Sequence, residues 1–258
     1  MSENNISPDL KKLLRRMKLS PMLETMPERL VLSRQKKLSH EQFLELIMAD
    51  EVQRRDQLST RTRARKAKLD PAMVIEAWDD TAKVTFDHAL WGELQSLRFI
   101  ENRHNVLVLG PVGVGKSFMG NALAYIACRR GMSALMLRTD KLLKELKASR
   151  LDHTYEQELR RCFTVDVLVL DDFGIDQLDA TESRDIYEII FERHRVGSTV
   201  VTSNRDPQEW LGTMTDPLRA QSAIDRLQNS AYELVIEGES YRKRQKPKWK
   251  EDNAKSSK

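Results

Sequence analysis

The octet GPVGVGKS, at residues 110–117, is the feature that most limits what this chain can fold into. It follows the apolar run NVLVL, typical of a strand buried on both faces, and precedes FMGNALAYIACRR, which has the apolar spacing of a helix. A glycine-rich turn between a strand and a helix lets backbone N–H groups surround an anion, and the helix N-terminus adds a favourable dipole. The octet therefore predicts a phosphate-binding loop in an α/β fold; the alternative is an ordinary glycine-rich turn.

Each residue type in this loop has a role that nucleotide binding would use. Lys116 would reach the β- and γ-phosphates, and the hydroxyl of Ser117 suits a phosphate-bound Mg²⁺. The glycines leave room for backbone to approach phosphate because they carry no Cβ. We expect nucleotide contacts from Gly110, Pro111, Val112, Gly113, Val114, Gly115, Lys116, Ser117 and Phe118.

Polar side chains also follow two later apolar runs. VDVLVLDD places Asp171 and Asp172 where a strand ends, and STVVTSN places Asn204 at the end of the next one. Strands alternate with helices from residue 105 onward, which predicts a parallel sheet whose carboxyl ends share one edge with the phosphate loop. We expect Asp171 to hold Mg²⁺ with Ser117, Asp172 to activate the attacking water and Asn204 to hold that water; the alternative is that these are ordinary turn residues.

Charge is divided unevenly along the 258 residues. Residues 1–68 carry 16 Lys/Arg against 9 Asp/Glu, residues 69–240 carry 19 against 28, and residues 241–258 carry 8 against 2. Basic segments on either side of an acidic core favour a partner with a phosphate backbone, with solvated faces as the alternative. No run approaches the roughly 20 apolar residues of a membrane span and the start has no signal-peptide core, so we expect a cytoplasmic protein without a membrane partner.

Three helix starts are visible in the N-terminal region, at Ser7-Pro8, Ser20-Pro21 and Ser39-x-x-Gln42. The third helix ends in QRRDQLSTRTRARKAKL, whose positive charges are too dense to be neutralised by partners along the helix. We interpret this run as binding duplex DNA, against a solvated helix end as the alternative. Its basic residues are Arg54, Arg55, Arg61, Arg63, Arg65, Lys66 and Lys68.

Two arginines precede the last predicted strand, YELVIEG. Phosphoryl transfer places negative charge on the transferring oxygens, and an arginine from a neighbouring subunit is a common way to stabilise it. Arg226 in AIDRL is our first candidate and Arg219 the second. In the tail KRQKPKWKEDNAKSSK, Trp249 among lysines is compatible equally with stacking on a base and with an unordered end.

The segments GPVGVGKS, VLVLDDFG, TSNRDPQEW, AIDRL and GESYRKR, in this order, resemble the IstB-like transposition helper ATPases. These are AAA+ proteins related to the helicase loader DnaC and the initiator DnaA, and the resemblance covers nearly the whole chain. It implies an AAA+ P-loop core with a five-stranded parallel sheet in the order 5-1-4-3-2, after a small all-α domain. It also implies a homo-oligomer with ATP at subunit junctions, bound to double-stranded DNA, that delivers the cognate transposase to its target.

Carried over residue by residue, the family's phosphate-loop, Mg²⁺, sensor and arginine-finger positions fall on Lys116, Ser117, Asp171, Asp172, Asn204 and Arg226. The branch also has an extra helix between its second and third strands that meets nucleic acid. Here the segment DKLLKELKASRLDHTYEQELRR fits that element, which would make Lys144, Lys147 and Arg150, on the helix around residues 141–150, DNA contacts; a solvated amphipathic helix is the alternative.

The chain departs from the wider pattern in two places. Most AAA+ proteins have Asp-Glu where this chain has Asp171-Asp172, so the shorter second side chain predicts slow hydrolysis. No separate helical lid follows the core, which leaves the lid's arginine role to Arg242 or to no residue. We expect a basic helical domain at 1–70, a linker with the first core helix at 71–104, the ATPase core at 105–240 and a basic tail at 241–258. A helicase loader and a non-hydrolysing ATP-dependent scaffold are the alternative functions.

Overall fold

A computed structural model describes residues 6–243 of the protein, so the predicted tail beyond Lys243, with Trp249, lies outside the described residues. Contacts divide the chain between Thr62 and Arg63 into an N-terminal unit and a larger second unit. The division falls inside a long helix, and each unit is described by itself.

The N-terminal unit is helical, as predicted. Its helices are α1 (Pro8–Arg16), α2 (Met22–Lys36) and α3 (His40–Lys66), the last of which continues past the division. Ser7 Oγ accepts a hydrogen bond from the Leu10 backbone N–H, and Ser39 and Gln42 cap each other reciprocally, which confirms two of the predicted starts. At the remaining predicted start, Ser20-Pro21, the capping residue of α2 is Pro21 rather than Ser20, and no side chain caps this helix. The buried apolar residues of this unit are Ile6, Leu14, Met22, Met26 and Ile47.

The second unit is an α/β fold. In chain order it contains β1 (Val84–Thr85), α4 (His88–Gln95), α5 (Arg98–Glu101), β2 (Asn105–Leu109), α6 (Lys116–Arg129), β3 (Ala134–Arg138), α7 (Thr139–Ser149), α8 (Tyr155–Phe163), β4 (Val167–Asp171), α9 (Ala180–Arg193), β5 (Ser198–Ser203), α10 (Pro207–Trp210), α11 (Pro217–Gln228), β6 (Ala231–Val235) and β7 (Glu237–Gly238). The main sheet has the order β3-β4-β5-β2-β6 with parallel neighbours throughout, and β1 pairs with β7 antiparallel. Counted over the five main strands, this is the predicted order 5-1-4-3-2.

The apolar strands fill both faces of the sheet because alternate side chains point to opposite sides. Val106 and Val108 belong to the cluster that includes α6, whereas Leu107 and Leu109 belong to the cluster that includes α9 and α11. β2 and β4 are therefore buried at every position, as expected for central parallel strands. This burial fixes where each strand ends, and so fixes the residues that emerge at its carboxyl edge.

Candidate functional site

The phosphate loop lies between β2 and α6, as predicted from the sequence. Gly110 has φ +148°, and a Cβ at this position would lie 2.1 Å from the carbonyl oxygen of Ile236. Gly113 has φ +85°, and its Cβ would lie 2.1 Å from Ser240 Oγ. These two glycines therefore make room for a later segment of the same chain, a reason that local sequence patterns did not predict.

That later segment runs along the loop through residues 236–242, and we call it the C-terminal strap. The Ile236 N–H donates to the Leu109 carbonyl over 2.7 Å, and the Tyr241 N–H donates to the Gly113 carbonyl over 2.8 Å. The strap brings Arg242 to the wall of the same cavity that Lys116 lines. Arg242 thus lines the same cavity as the phosphate loop, whereas from the sequence it was only a candidate for the lid's arginine role.

Lys116 is buried at the start of α6. Its Nζ donates to the Pro111 carbonyl over 2.7 Å, which holds the side chain back across the loop. Burial lowers the pKa of Lys116, while the nearby carboxylates of Asp172 and Asp171 oppose that shift. The ammonium group is therefore held by the loop and lies within the electrostatic influence of the two acids at the sheet edge.

The two aspartates at the end of β4 have different environments. Asp171 is buried, and its Oδ1 accepts a hydrogen bond of 2.5 Å from Thr202 Oγ1 on the neighbouring strand β5. Asp172 has a left-handed backbone with φ +57°, and its N–H donates to the same Thr202 oxygen over 3.1 Å. The backbone turn after β4 directs the two carboxyl groups to different surroundings, and Thr202, which the sequence analysis missed, holds both residues.

Asp172 lines the cavity, half-buried. Burial raises the pKa of its carboxyl group, the charge of Asp171 adds to that effect, and Arg138 is the first of the nearby cations that oppose it. The Nε of Arg138, at the end of β3, lies 3.7 Å from Asp172 Oδ2. A carboxylate with a raised pKa at a cavity wall has the properties of a general base.

Asn204 reaches the same cavity because DDFG and TSNRDPQEW pack together. Phe173 and Trp210 are buried in edge-to-face contact, with ring centroids 4.9 Å apart. Ser203 Oγ accepts from Trp210 Nε1 over 3.1 Å and donates to the Phe173 carbonyl over 2.7 Å. The two motifs are therefore one packed unit, which places Asn204 and Asp172 on one cavity wall.

The cavity has a volume of about 600 Å³ and joins the loop to a part of the chain that the sequence analysis treated as a linker. Trp78 lies 5.3 Å from Phe118, ring centroid to centroid, and both line the cavity. Asn121 holds the start of this wall, since its side-chain amide donates to the carbonyls of Asp70 and Met73 and accepts from the Asp70 N–H. The sequence signal for this wall was Trp78 in an acidic, irregular stretch; a tryptophan there predicts that its ring is buried, but not which residues it packs against.

Ser117 and Asp171 carry the oxygen atoms that Mg²⁺ prefers, and phosphates and water commonly supply its remaining ligands. Ser117 lines the cavity, whereas Asp171 is buried beside Thr202 and is not among the lining residues in the described part of the chain. Among residues 6–243, no group of three or more His, Cys, Asp and Glu side chains forms a protein-only metal site. Both cysteines are buried, and burial raises the pKa of each thiol to about 11, so neither is prepared for thiolate chemistry.

The two candidate finger arginines do not line this cavity. Arg219 and Arg226 lie on α11, where Arg219 Nε is 3.4 Å from Asp216 and the Nη1 of Arg226 donates to the Ser222 carbonyl over 2.8 Å. Neither is among the lining residues in the described part of the chain.

The predicted DNA-binding residues divide into paired and exposed groups. Arg54 and Arg55 both donate to Glu51, Lys68 pairs with Glu145 at 3.0 Å, and Arg63 Nε donates to the Cys128 carbonyl over 2.8 Å. Arg61, Arg65 and Lys66 are exposed on α3. Charge neutralisation along α3 is greater than predicted, because Glu51 lies three and four residues before the first two arginines, the spacing that pairs side chains on a helix.

The predicted contacts on α7 also differ from one another. Arg150 forms an ion pair with the buried Asp185, and its guanidinium lies 3.9 Å above the ring of Tyr155. Lys144 and Lys147 are mostly exposed, at 3.8 Å from Asp140 and 3.5 Å from Asp179 respectively. The helix therefore offers two lysines at its surface, whereas the charge of Arg150 is used within the fold.

Within residues 6–243, every helix is too short or too polar to cross a membrane.

Comparisons with known proteins agree with this geometry. The model of the IstB-like ATP binding protein family matches residues 12–249. An ATP-binding protein in an insertion sequence of Mycobacterium tuberculosis is 35% identical over 241 residues, which cover 93% of this chain and 96% of that protein.

Solved structures share the core. DnaI aligns with a TM-score of 0.55 and 25% identity, over 63% of this chain and 90% of its own. The DnaC helicase loader aligns with a TM-score of 0.51 and 21% identity, over 57% of this chain and 86% of its own, and shows the fold alone. With the strand order, the phosphate loop and the family match together, the chain belongs to the IstB-like ATP-binding proteins and has the α/β P-loop fold of the AAA+ class.

Proposed function

We propose that the protein is an ATP-hydrolysing, DNA-binding helper of transposition, which assembles on duplex DNA and recruits the transposase of its insertion sequence. The observation that carries this proposal is the cavity where Lys116, Asp172 and Asn204 meet on the carboxyl edge of the sheet. A phosphate loop alone would support binding, whereas a basic carboxylate and an amide beside it support hydrolysis.

The side chains have separable tasks in this proposal. Lys116 moves from the Pro111 carbonyl to the β- and γ-phosphates, where its charge has a stronger partner. Ser117 and Asp171 hold Mg²⁺, which neutralises phosphate charge when bound. Asp172 accepts the proton of the attacking water and Asn204 orients that water. Because Asp172 is shorter than the glutamate usual in the class, we expect slow turnover.

The wall formed by the linker suits the base of ATP. Met73, Ala77 and Trp78 give that end of the cavity an apolar surface, and Asp70 and Asp79 stand beside it. Nucleotide sites commonly combine an apolar wall with a few polar groups that fix orientation. We therefore place the base against the linker and the phosphates at the loop.

Arg226 and Arg219 suggest why assembly matters. Both lie outside the chain's own cavity, whose lining already includes Arg242, so either of them could act on a transferring phosphoryl group only at the site of a second copy. We assign that role first to Arg226 and place ATP at junctions between subunits. DNA and partner subunits would then stimulate hydrolysis together.

For DNA, the exposed charges of α3 are the strongest candidates. Arg61 and Arg65 stand one turn apart on the solvent face, with Lys66 beside them. Like charges at this spacing repel one another until an anion neutralises them, and a phosphate backbone does so with release of counterions. Lys144 and Lys147 on α7 are our second set, and Arg54, Arg55, Arg63, Lys68 and Arg150 would first have to exchange their present partners.

The partner distinguishes this function from that of a helicase loader. The relative from Mycobacterium tuberculosis belongs to an insertion sequence, and it matches the chain almost end to end. The match to DnaI covers less of the chain. These comparisons favour the transposase as partner over a replicative helicase.

The test is ATP-dependent recruitment. Purified protein, a labelled duplex and the transposase encoded beside it are mixed with ATP, and transposase retained on DNA is measured together with phosphate release. We expect retention with ATP and none with the Lys116→Ala variant. Retention of a replicative helicase instead of the transposase would replace the proposal with the loader function, and ATP-independent retention would contradict it.

A further inference from the structure

An exposed aromatic ring lies next to the candidate arginine finger. Phe191 on α9 is a large apolar side chain, yet it is 47% exposed. The guanidinium carbon of Arg226 lies 5.1 Å from the centroid of this ring, and Tyr187, one turn earlier, stacks on the ring at 5.8 Å. A guanidinium at this distance from an aromatic face is attracted by the ring's quadrupole.

The backbone beneath Arg226 is anchored to the sheet. Asn105, at the start of β2, donates from its side-chain amide to the carbonyls of Arg226 and Leu227, over 3.3 and 3.1 Å. Its amide oxygen accepts from the Thr199 N–H over 3.0 Å. The backbone of Arg226 is therefore fixed, so the position of its guanidinium depends on the direction of the long side chain.

Two groups set that direction. Ser222, one turn earlier on α11, accepts from Arg226 Nη1 through both its carbonyl and its hydroxyl, and Phe191 covers one face of the guanidinium. The other end of the guanidinium carries further N–H groups that can donate to a phosphate. An arginine restricted in this way loses less rotamer entropy when it docks than one that moves freely.

We propose that Phe191 is a positioning residue that pre-orients Arg226 toward the ATP bound by the neighbouring subunit. The inference rests on the proposed function of Arg226 and adds a side chain that touches neither nucleotide nor Mg²⁺. Arg219, two turns before Arg226 on α11, has the same arrangement: its guanidinium carbon lies 5.9 Å from the centroid of the Tyr187 ring. The α9 surface thus presents two stacked rings, each with an arginine of α11 above it.

The first test separates turnover from binding. Phe191→Ala should lower kcat for ATP by roughly two- to five-fold, the fold-change that matches an exposed cation–π contact, with KM for ATP unchanged. Phe191→Tyr should restore the rate because it keeps the π-face, and Phe191→Leu should not, because it keeps only apolar volume. Leu218→Ala, which removes a more exposed apolar side chain from α11, is the control and should leave the rate unchanged.

The second test asks which subunit needs the ring. Lys116→Ala subunits lack a working site but keep the finger, and Arg226→Ala subunits have the reverse defect, so their mixture should regain activity. Phe191→Ala added to the Lys116→Ala subunit should lower the regained rate. The same change in the Arg226→Ala subunit should not affect it.

The outcomes distinguish the two proposals. If Arg226→Ala alone hydrolyses ATP at the parental rate, the finger assignment is wrong and the positioning role is wrong with it. If Arg226→Ala is inactive while Phe191→Ala matches the parent, or Phe191→Leu restores the rate as well as Phe191→Tyr, the finger stands and the role of Phe191 is overturned. Loss of the regained rate when the change sits in the ATP-binding subunit would also overturn it.

Discussion

The two units of the chain position their functional residues by different means. In the sheet unit, residues 63–243, Asp171, Asp172 and Asn204 lie where buried strands end and Lys116 opens α6, so the core determines where these side chains lie. In the helical unit, residues 6–62, one small cluster is buried and apolar residues such as Leu13 and Val52 remain exposed. We expect the proposed chemistry, which needs fixed distances, to depend on the sheet unit, and the proposed DNA contacts to depend on the surface of α3.

The largest expected effect is the loss of ATP binding at the site in the sheet unit, with the helical unit unaffected. Lys116→Ala should abolish measurable ATP binding, because the β- and γ-phosphates lose the charge of the buried Lys116 side chain. Titration with a fluorescent ATP analogue measures the affinity, and circular dichroism should show an unchanged helical unit. Lys141→Ala, at an exposed position of α7, is the matched control. Parental affinity in Lys116→Ala would remove the nucleotide assignment.

The next effect separates the two aspartates within that unit. Asp172→Asn should retain ATP and lose turnover by a factor on the order of 10² to 10⁴, the usual contribution of a positioned general base. Single-turnover hydrolysis with radiolabelled ATP measures it, with binding measured on the same sample. Asp171→Asn should instead weaken Mg²⁺-dependent binding. Equal hydrolysis in Asp172→Asn and parent would exclude Asp172 as the base.

A third experiment moves to the basic surface of α3. Changing Arg61 and Arg65 together to Ala should weaken binding to all duplex sequences alike and flatten the slope of log affinity against log salt by about 1.8, or about 0.9 for each lost phosphate contact. Arg160 and Arg184, exposed in the sheet unit, give a control pair with the same loss of charge. Alanine is a strong helix former, so α3 should persist. An unchanged slope would show that Arg61 and Arg65 do not contact phosphates and would favour the alternative of a solvated helix surface.

The smallest effect concerns stability of the helical unit in acid. The hydrogen bond from Arg54 is the main cause that lowers the pKa of Glu51 to about 2, with Arg55 adding to it and burial opposing. A lowered pKa in the folded state means that the stabilisation is complete above the ordinary value near 4.5 and is lost as pH falls toward 2. Glu51→Gln should therefore cost about 1 kcal/mol at pH 7, discounted for the exposed arginines, and much less at pH 2, where about half of the Glu51 carboxyl groups are protonated in the folded state. Urea unfolding at both pH values measures this, and a difference as large at pH 2 as at pH 7 would contradict the ion-pair explanation.

Local sequence patterns predicted what local structure determines. The phosphate loop, the order of strands and helices, and the acids after β4 follow from periodicity and spacing, and the structure has them. The linker wall at Trp78, the shared hydroxyl of Thr202 and the contact of Ser240 with Gly113 were missed, because each joins segments far apart in the chain. The pairing of Arg54 with Glu51 was predictable from spacing, and it was overlooked because Glu51 lies before the run QRRDQLSTRTRARKAKL in which partners were sought.

The C-terminal strap has a consequence for the order in which the protein is made. The phosphate loop is synthesised early, yet its Gly113 carbonyl receives the Tyr241 N–H, and the end of β2 receives the Ile236 N–H. A nascent chain that has emerged only as far as β5 lacks both donors and also the neighbouring strand β6. The phosphate loop therefore gains these backbone contacts only after residues 231–241 have been synthesised, well after the loop itself.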